Sequence, residues 1–161
     1  MVERVPMSKA GHVRMREELI RLEKHDRIDV IRAIEVALEH GDLSENAEYH
    51  AAKERQGHIE GRIMELKDKL GRSEILDCSN LSCEKAVFGS LVTLVDLDTD
   101  EEEGYQLLGP DESDVKKGSI SVTSPIGRAI IGKSEGDEVV VKTPGGVRRF
   151  ELMEISCKGN D

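Results

Sequence analysis

A chain of 161 residues, 35% charged and 37% hydrophobic, can build one domain or two small ones, one of them extended and heavily charged. Its aromatic side chains are Tyr49, Phe88, Tyr105 and Phe150 and its net charge is −10, which excludes a broad stacking platform for single strands and a general binder of phosphate backbones. Cys78, Cys83 and Cys157 form no paired C-x-x-C motifs, so neither a disulfide framework nor a zinc site is expected, and no apolar run suits a signal peptide or a membrane span; reduced thiols in the cytoplasm are the expectation.

The charge is unevenly divided. Residues 1–75 hold 14 basic and 16 acidic side chains, residues 76–161 hold 9 and 17. The acidic second half suits a partner with a basic surface, and solubility accounts for it equally well.

Ser8 can cap a first helix. Beyond it Met15, Leu19, Leu22, Asp26, Val30, Ala33 and Ala37 follow gaps of 4, 3, 4, 4, 3 and 4, a helical seam whose irregular step falls at Asp26 to Val30. Ile31, Ile34 and Leu38 are expected to widen the stripe. The chain then turns at Gly41-Asp42-Leu43-Ser44-Glu45-Asn46-Ala47-Glu48-Tyr49-His50. Gly41 suits the left-handed residue that ends a helix. Asp42 can cap the next helix, with Glu45 three residues on as its capping-box partner.

From Ala33 to Ala52 there is no lysine or arginine, yet Glu35, Glu39, Asp42, Glu45 and Glu48 lie there. One reading makes these carboxylates caps and a solvated face. The other makes Asp42 and Glu45 half of a metal site. At helical spacing their side chains would lie about 5–6 Å apart. Two carboxylates alone hold Mg²⁺ poorly, so something the turn enters would complete the set.

The returning helix carries Ala52, Gln56, Ile59, Ile63, Leu66 and Leu70 at gaps of 4, 3, 4, 3 and 4, which is heptad spacing. A short turn makes the two helices antiparallel, and small Ala47, Ala51 and Ala52 would let them approach closely. With ~30 residues at ~1.5 Å each, the arm should reach roughly 45–50 Å. Gly71 and Asp77-Cys78-Ser79-Asn80 mark a change of composition, giving an arm over 1–75 with its tip at 41–49 and a globular domain over 76–161.

In that second domain residues 87–98, 105–108, 119–123, 138–143 and 148–155 read as strands. Residues 98–104 read as an acidic turn, Pro144-Gly145-Gly146 as a hairpin turn and 125–131 as one short helix. The class is therefore α+β in two domains, a helical coiled-coil hairpin followed by a small α+β domain. His12, His25, His40, His50 and His58 are spread along the arm. His40 and His50 flank the tip and could meet, but no metal site is expected there. Cys78 and Cys83 read as small apolar fillers.

EHGDLSENAEYHAAKE at 39–54, EGRI at 60–63, SPIGRAIIGK at 124–133 and VVVKTPGG at 139–146 together resemble, in order, the Gre family of bacterial transcript cleavage factors, from about Pro6 to about Ile155. The resemblance implies an FKBP-like antiparallel sheet in the second domain. It implies a factor, not itself an enzyme, whose coiled-coil tip enters the secondary channel of backtracked bacterial RNA polymerase; a hairpin that buries its seam internally needs no partner helix, so a monomer is expected. Asp42 and Glu45 are implied to hold Mg²⁺ there, bound only within the complex, while the polymerase cuts the extruded RNA 3′ end. Gly41, Leu43, Asn46 and Tyr49 would support the tip.

Lys53 and Arg55 are the basic residues placed to touch RNA, with Leu38 standing where many relatives carry an arginine and Ser44 neutral. A patch this thin favours the short-fragment branch of the family. Ser124, Pro125 and Ile126 are implied to grip the coiled coil at the channel rim. Rival readings are a channel-binding inhibitor without cleavage stimulation, a peptidyl-prolyl isomerase suggested by the implied sheet, and a dimeric coiled-coil scaffold.

Overall fold

A computed structural model describes residues 3–41, 45–78 and 82–157. Chain contacts divide it into two units, one made of Met1–His12 with Ser73–Asp161, the other of Val13–Arg72.

The helical unit is a hairpin. Helix α1 (Lys9–Arg21) passes through a π-helical turn, Leu22–Asp26, into α2 (Arg27–Leu38), and α3 (Ala47–Arg72) returns. Ala37 meets Asn46 and Arg27 meets Glu60, so α2 and α3 run antiparallel. The outgoing arm of the hairpin, through α1, the π-turn and α2, buries Met15, Leu22, Val30 and Ala37, and α3 buries Ala52, Ile59, Ile63 and Leu66. The step from Leu22 to Val30 is one residue longer than a heptad, and the π-turn between them absorbs it. There the Arg27 N–H donates to Leu22 O, five residues back. The irregular step predicted at Asp26 to Val30 thus takes the form of a π-turn one helical turn earlier. Ile31 and Leu38 do not widen the stripe; they are 42% and 45% exposed. With 26 residues, α3 spans roughly 39 Å, somewhat short of the expected reach.

The second unit gains two strands that the sequence did not suggest. β1 (Val5–Ser8) pairs in parallel with β2 (Ser73–Leu76), from Val5 opposite Ser73 to Ser8 opposite Leu76. This pairing draws residues 1–12 away from the arm assigned to 1–75, and α3 continues through Gly71 to Arg72 without a break. By chain contacts the two units meet at 12/13 and 72/73, beside the 75/76 boundary read from the sequence.

The main sheet has five strands in the order β5-β4-β3-β7-β6: β3 (Leu91–Asp96), β4 (Glu102–Leu108), β5 (Ser119–Ser121), β6 (Glu138–Thr143) and β7 (Gly146–Ser156). It is antiparallel except at β5, which joins β4 in parallel, so the sheet is mixed rather than antiparallel throughout. The connection 109–118, closed by a 3₁₀ turn at Val115–Lys117, carries the chain back so that β5 enters in the direction of β4. β4 begins inside the predicted acidic turn, and β3 is shorter than predicted because Val87 and Ser90 form a turn through the Ser90 hydroxyl. β6 coincides with its predicted span. A bulge on β7 puts Thr93 opposite Glu154 but Leu94 opposite Leu152. Val92, Leu94, Leu107, Ile120, Val139, Phe150 and Leu152 form the core, with Ile130 of α4 (Pro125–Ile130).

Ser8 caps α1 as expected, its Oγ accepting from Gly11 N–H at 3.1 Å. The Glu112 carboxylate fastens this start. It accepts from Ser8 N–H at 2.7 Å, from Gly109 N–H at 3.2 Å and from the Ser8 hydroxyl. Residue 109 is glycine because a Cβ there would fall on the Pro6 carbonyl oxygen.

Candidate functional site

At the tip, α2 ends in a tightening turn in which Glu39 N–H donates to Val36 O and His40 N–H to Ala37 O. Gly41 follows with φ +102°, the left-handed conformation expected of it. Asp42, Leu43 and Ser44 lie outside the described residues.

The cap of α3 is Asn46, not Asp42. Its Oδ1 accepts from Tyr49 N–H at 3.0 Å, and its Nδ2 donates to Ala37 O at 2.6 Å. One amide side chain thus satisfies an orphan donor of α3 and a terminal carbonyl of α2. The helix starts at Ala47, so Glu45 stands before the cap and not at the third helical position that a capping box requires. The helical spacing expected to bring Glu45 to Asp42 does not apply at Glu45. Its side chain is exposed and makes no hydrogen bond or ion pair with any described residue.

A shallow depression of about 450 Å³ is lined by His40, Glu45, Asn46, Ala47 and Glu48. His40 and His50 do not meet. His40 Nε2 lies 3.8 Å from Glu48 Oε2, and the His50 ring packs edge-on against half-buried Tyr49 with centroids 5.6 Å apart.

Below the tip, a groove of about 610 Å³ between α2 and α3 is lined by Asp29, Arg32, Ala33, Val36, Glu48, Ala51, Ala52 and Arg55. Arg55 is where the sequence placed a candidate contact. Lys53 is exposed nearby, its Nζ donating to Gln56 at 3.1 Å. Arg32 was missed. The antiparallel register, with Asn46 beside Ala37 and Glu60 beside Arg27, brings residue 32 opposite residues 51–55, and that register was the available signal. Neither Arg32 nor Arg55 forms an ion pair with a described carboxylate.

Other arginines of the hairpin are committed to cross-helix pairs. Arg27 grips Glu60 at 2.8 and 2.7 Å, and Arg62 grips Glu18 at 2.8 and 3.0 Å. The hydrogen bond from Arg62 holds the Glu18 carboxyl below its usual range, and that from Arg27 does the same for Glu60.

In the sheet unit, Ser124 is a helix cap. Its Oγ accepts from Gly127 N–H at 3.1 Å and donates to Ser121 O at 2.6 Å. Pro125 is exposed at the first helical position, whereas Ile126 is half-buried against the core. Beside α4 runs an apolar groove of about 440 Å³ lined by Pro6, Leu76, Val87, Phe88, Val122, Arg128 and Ile131. No local motif could have announced it, because its walls come from separate stretches of the chain.

Among the described residues, no group of three or more potential metal ligands gathers and no helix is long and apolar enough to cross a membrane. A helical hairpin with an exposed tip carboxylate, accompanied by a mixed sheet unit, defines the class. Residues 5–75 match the family model "Transcription elongation factor, N-terminal", and residues 81–157 match "Transcription elongation factor, GreA/GreB, C-term". The chain belongs to the GreA/GreB family of transcription elongation factors.

The transcription elongation factor GreA of Desulfotalea psychrophila is 66% identical over 96% of both chains. That of Phenylobacterium zucineum is 56% identical over 96% of this chain and 98% of its own. Among solved structures, GreA factor homolog 1 of Thermus thermophilus is 30% identical, covering 95% of this chain and 99% of that one with a TM-score of 0.44.

Proposed function

We propose that the protein acts in the cytoplasm on bacterial RNA polymerase, entering the secondary channel of backtracked complexes tip first and stimulating the polymerase's own cleavage of the RNA 3′ end. The observation that carries this reading is the separation of duties at the tip. Asn46 does the capping, which leaves Glu45 exposed and without a hydrogen bond or ion pair among the described residues. A carboxylate is the hard oxygen donor that Mg²⁺ prefers, so Glu45 fits such a metal, with Asp42 as the second donor and the polymerase completing the set. Mg²⁺ held there would stabilise the attacking and leaving oxygens of the cut.

Arg32 and Arg55, without an ion pair among the described residues and facing one groove below the tip, suit the extruded RNA, with Lys53 at its margin. Exposed Pro125, presented by the Ser124 cap, suits docking at the channel rim. The hairpin buries its seam within one chain, so the reading needs no second copy.

The test is a stalled, purified polymerase complex with Mg²⁺, to which wild type, Asp42→Asn, Glu45→Gln and the double variant are added. Cleavage should fall by orders of magnitude while melting and polymerase binding stay unchanged. Raised Mg²⁺ should partly restore the cut, because lost affinity is offset by mass action. Near-normal cleavage by the double variant defeats the ligand-donor reading. Pro125→Glu should weaken polymerase binding. Ile126→Asp is a poorer probe of docking, since it also perturbs the core.

A further inference from the structure

We propose that the outer edge of β6 is an interaction surface for a second copy of this chain, the two edges pairing antiparallel about Val140. β6 ends the sheet order, with β7 as its neighbour on one side. The hydrogen bonds of β7 show which backbone groups of β6 are left over. Leu97 N–H donates to Arg149 O at 3.0 Å, so Arg149 turns its backbone toward β3. Leu152 turns the other way: its N–H donates to Asp137 O at 2.9 Å, and its carbonyl accepts from Gly136 N–H at 2.7 Å. Backbone direction alternates along a strand, so Phe150, Arg148 and Gly146 also face β6. Their partners Val139, Val141 and Thr143 direct their N–H and C=O groups to β7. Glu138, Val140 and Lys142 therefore point theirs outward, where these groups meet no hydrogen-bond partner among the described residues.

The side chains sort the same way. Val139 and Val141 are buried in the core, whereas Glu138, Val140 and Lys142 are exposed on the opposite face, Val140 by 49%. β6 carries no proline and keeps an unbroken register with β7 from Glu138 to Thr143, so neither device that blunts a sheet edge is present along it. Self-complementarity names the occupant. Two-fold pairing of this edge with its own copy, centred on Val140, sets the two Val140 side chains beside each other. At both ends it sets Glu138 opposite Lys142 of the partner subunit. That register pairs all three outward residues. Sliding the strands until Glu138 meets Glu138, or Lys142 meets Lys142, opposes like charges and leaves most of the edge bare. Within one copy Glu138 lies 3.9 Å from Arg149 Nε with both side chains exposed, which leaves it open to the lysine. A six-residue strand buries less than the roughly 1,200 Å² of a stable interface, so the pairing is weak and builds with concentration.

The experiment follows the full chain by sedimentation equilibrium from dilute solution to about 1 mM, with hydrogen exchange at both extremes. The mean mass of wild type should climb from that of one chain toward twice that value. The amides of Glu138, Val140 and Lys142 should exchange more slowly in the concentrated sample, those of Val139 and Val141 equally in both. Val140→Pro removes the central outward donor and spares every bond to β7, so it should stay monomeric with its melting unmoved. Lys142→Glu sets glutamate against glutamate and should weaken dimerisation about tenfold at low salt, and the double variant Glu138→Lys, Lys142→Glu should recover it. A chain still monomeric at about 1 mM, a dimer that persists in Val140→Pro, or concentration-dependent protection away from those three amides would overturn the proposal.

Discussion

Replacing Asn46 tests whether one amide holds the two helices of the hairpin at their tip. Asn46→Ala removes the acceptor for Tyr49 N–H, at 3.0 Å, and the donor to Ala37 O, at 2.6 Å. Loss of an asparagine cap costs about 1 kcal/mol, and loss of a typical internal hydrogen bond about 1 kcal/mol more. Asn46→Ala should therefore loosen the tip by about 2 kcal/mol, on the order of a thirty-fold gain in local opening. Asn46→Asp separates the two bonds. Aspartate caps as well as asparagine and its charge favours a helix N-terminus by about 0.3–1 kcal/mol, but it has no donor for Ala37 O. It should lose about 1 kcal/mol or less overall.

Hydrogen exchange reads the two sides separately, through Tyr49 N–H for the cap and His40 N–H, which shares Ala37 O, for the end of α2. Asn46→Ala should speed both amides about thirty-fold, whereas Asn46→Asp should speed His40 and spare Tyr49. Unchanged exchange in Asn46→Ala, or a larger stability loss from Glu45→Gln than from Asn46→Ala, would refute the assignment of the cap.

Ile63 is 2% exposed in the hairpin seam, so Ile63→Asp should cost about 3 kcal/mol or more; calorimetry should then resolve a lowered helical transition from an unmoved one of the sheet unit. A single shared transition would mean the two units do not fold apart. Glu112→Ala strips Ser8 N–H, the Ser8 hydroxyl and Gly109 N–H of their acceptor and should destabilise the sheet unit by on the order of 2 kcal/mol in urea melts, with Glu112→Gln milder. Glu18 and Glu60 have lowered folded pKa values, so their stabilisation is complete above the unfolded carboxylate value of about 4.3 and is lost as pH falls through the folded values. The hairpin's melting temperature should drop between pH 5 and pH 3, and by less in Arg62→Gln, which has already lost the Glu18 bond; an equal drop in both would sink the assignment of Glu18.

What the sequence showed clearly was what repeats locally. Met15, Leu22, Ile59, Ile63 and Leu66 betray their burial through helical spacing, and the alternation of Val139 and Val141 gives β6 its limits. The π-turn was visible as one seam step too many, though not as the geometry that absorbs it. Partners distant in sequence were not legible. Val5–Ser8 and Ser73–Leu76 are too short to declare themselves strands until each supplies the other's hydrogen bonds, and the parallel entry of β5 depends on how 109–118 folds back.

The cap was misplaced for a different reason. Aspartate and asparagine cap almost equally well, so propensity cannot choose between Asp42 and Asn46. What decides is where the helices end, because Asn46 stands within reach of both Tyr49 N–H and Ala37 O.

That choice bears on the proposed chemistry. A carboxylate used as a cap spends an oxygen lone pair on a backbone N–H, and the positive end of the helix dipole lies against its charge. Both effects compete with a metal for the same donor. An amide can cap without that conflict, and unlike a carboxylate it also offers a donor to the opposite helix. With Asn46 as the cap, the turn keeps its shape whether Glu45 is charged, neutral or engaged elsewhere, since Glu45 carries none of the turn's described hydrogen bonds. A tip built this way can give its carboxylate to a partner's metal without unwinding the helix that presents it. This is why Glu45→Gln and Asn46→Ala should fail in opposite assays, the first in cleavage with its fold intact, the second in tip rigidity with its carboxylates in place.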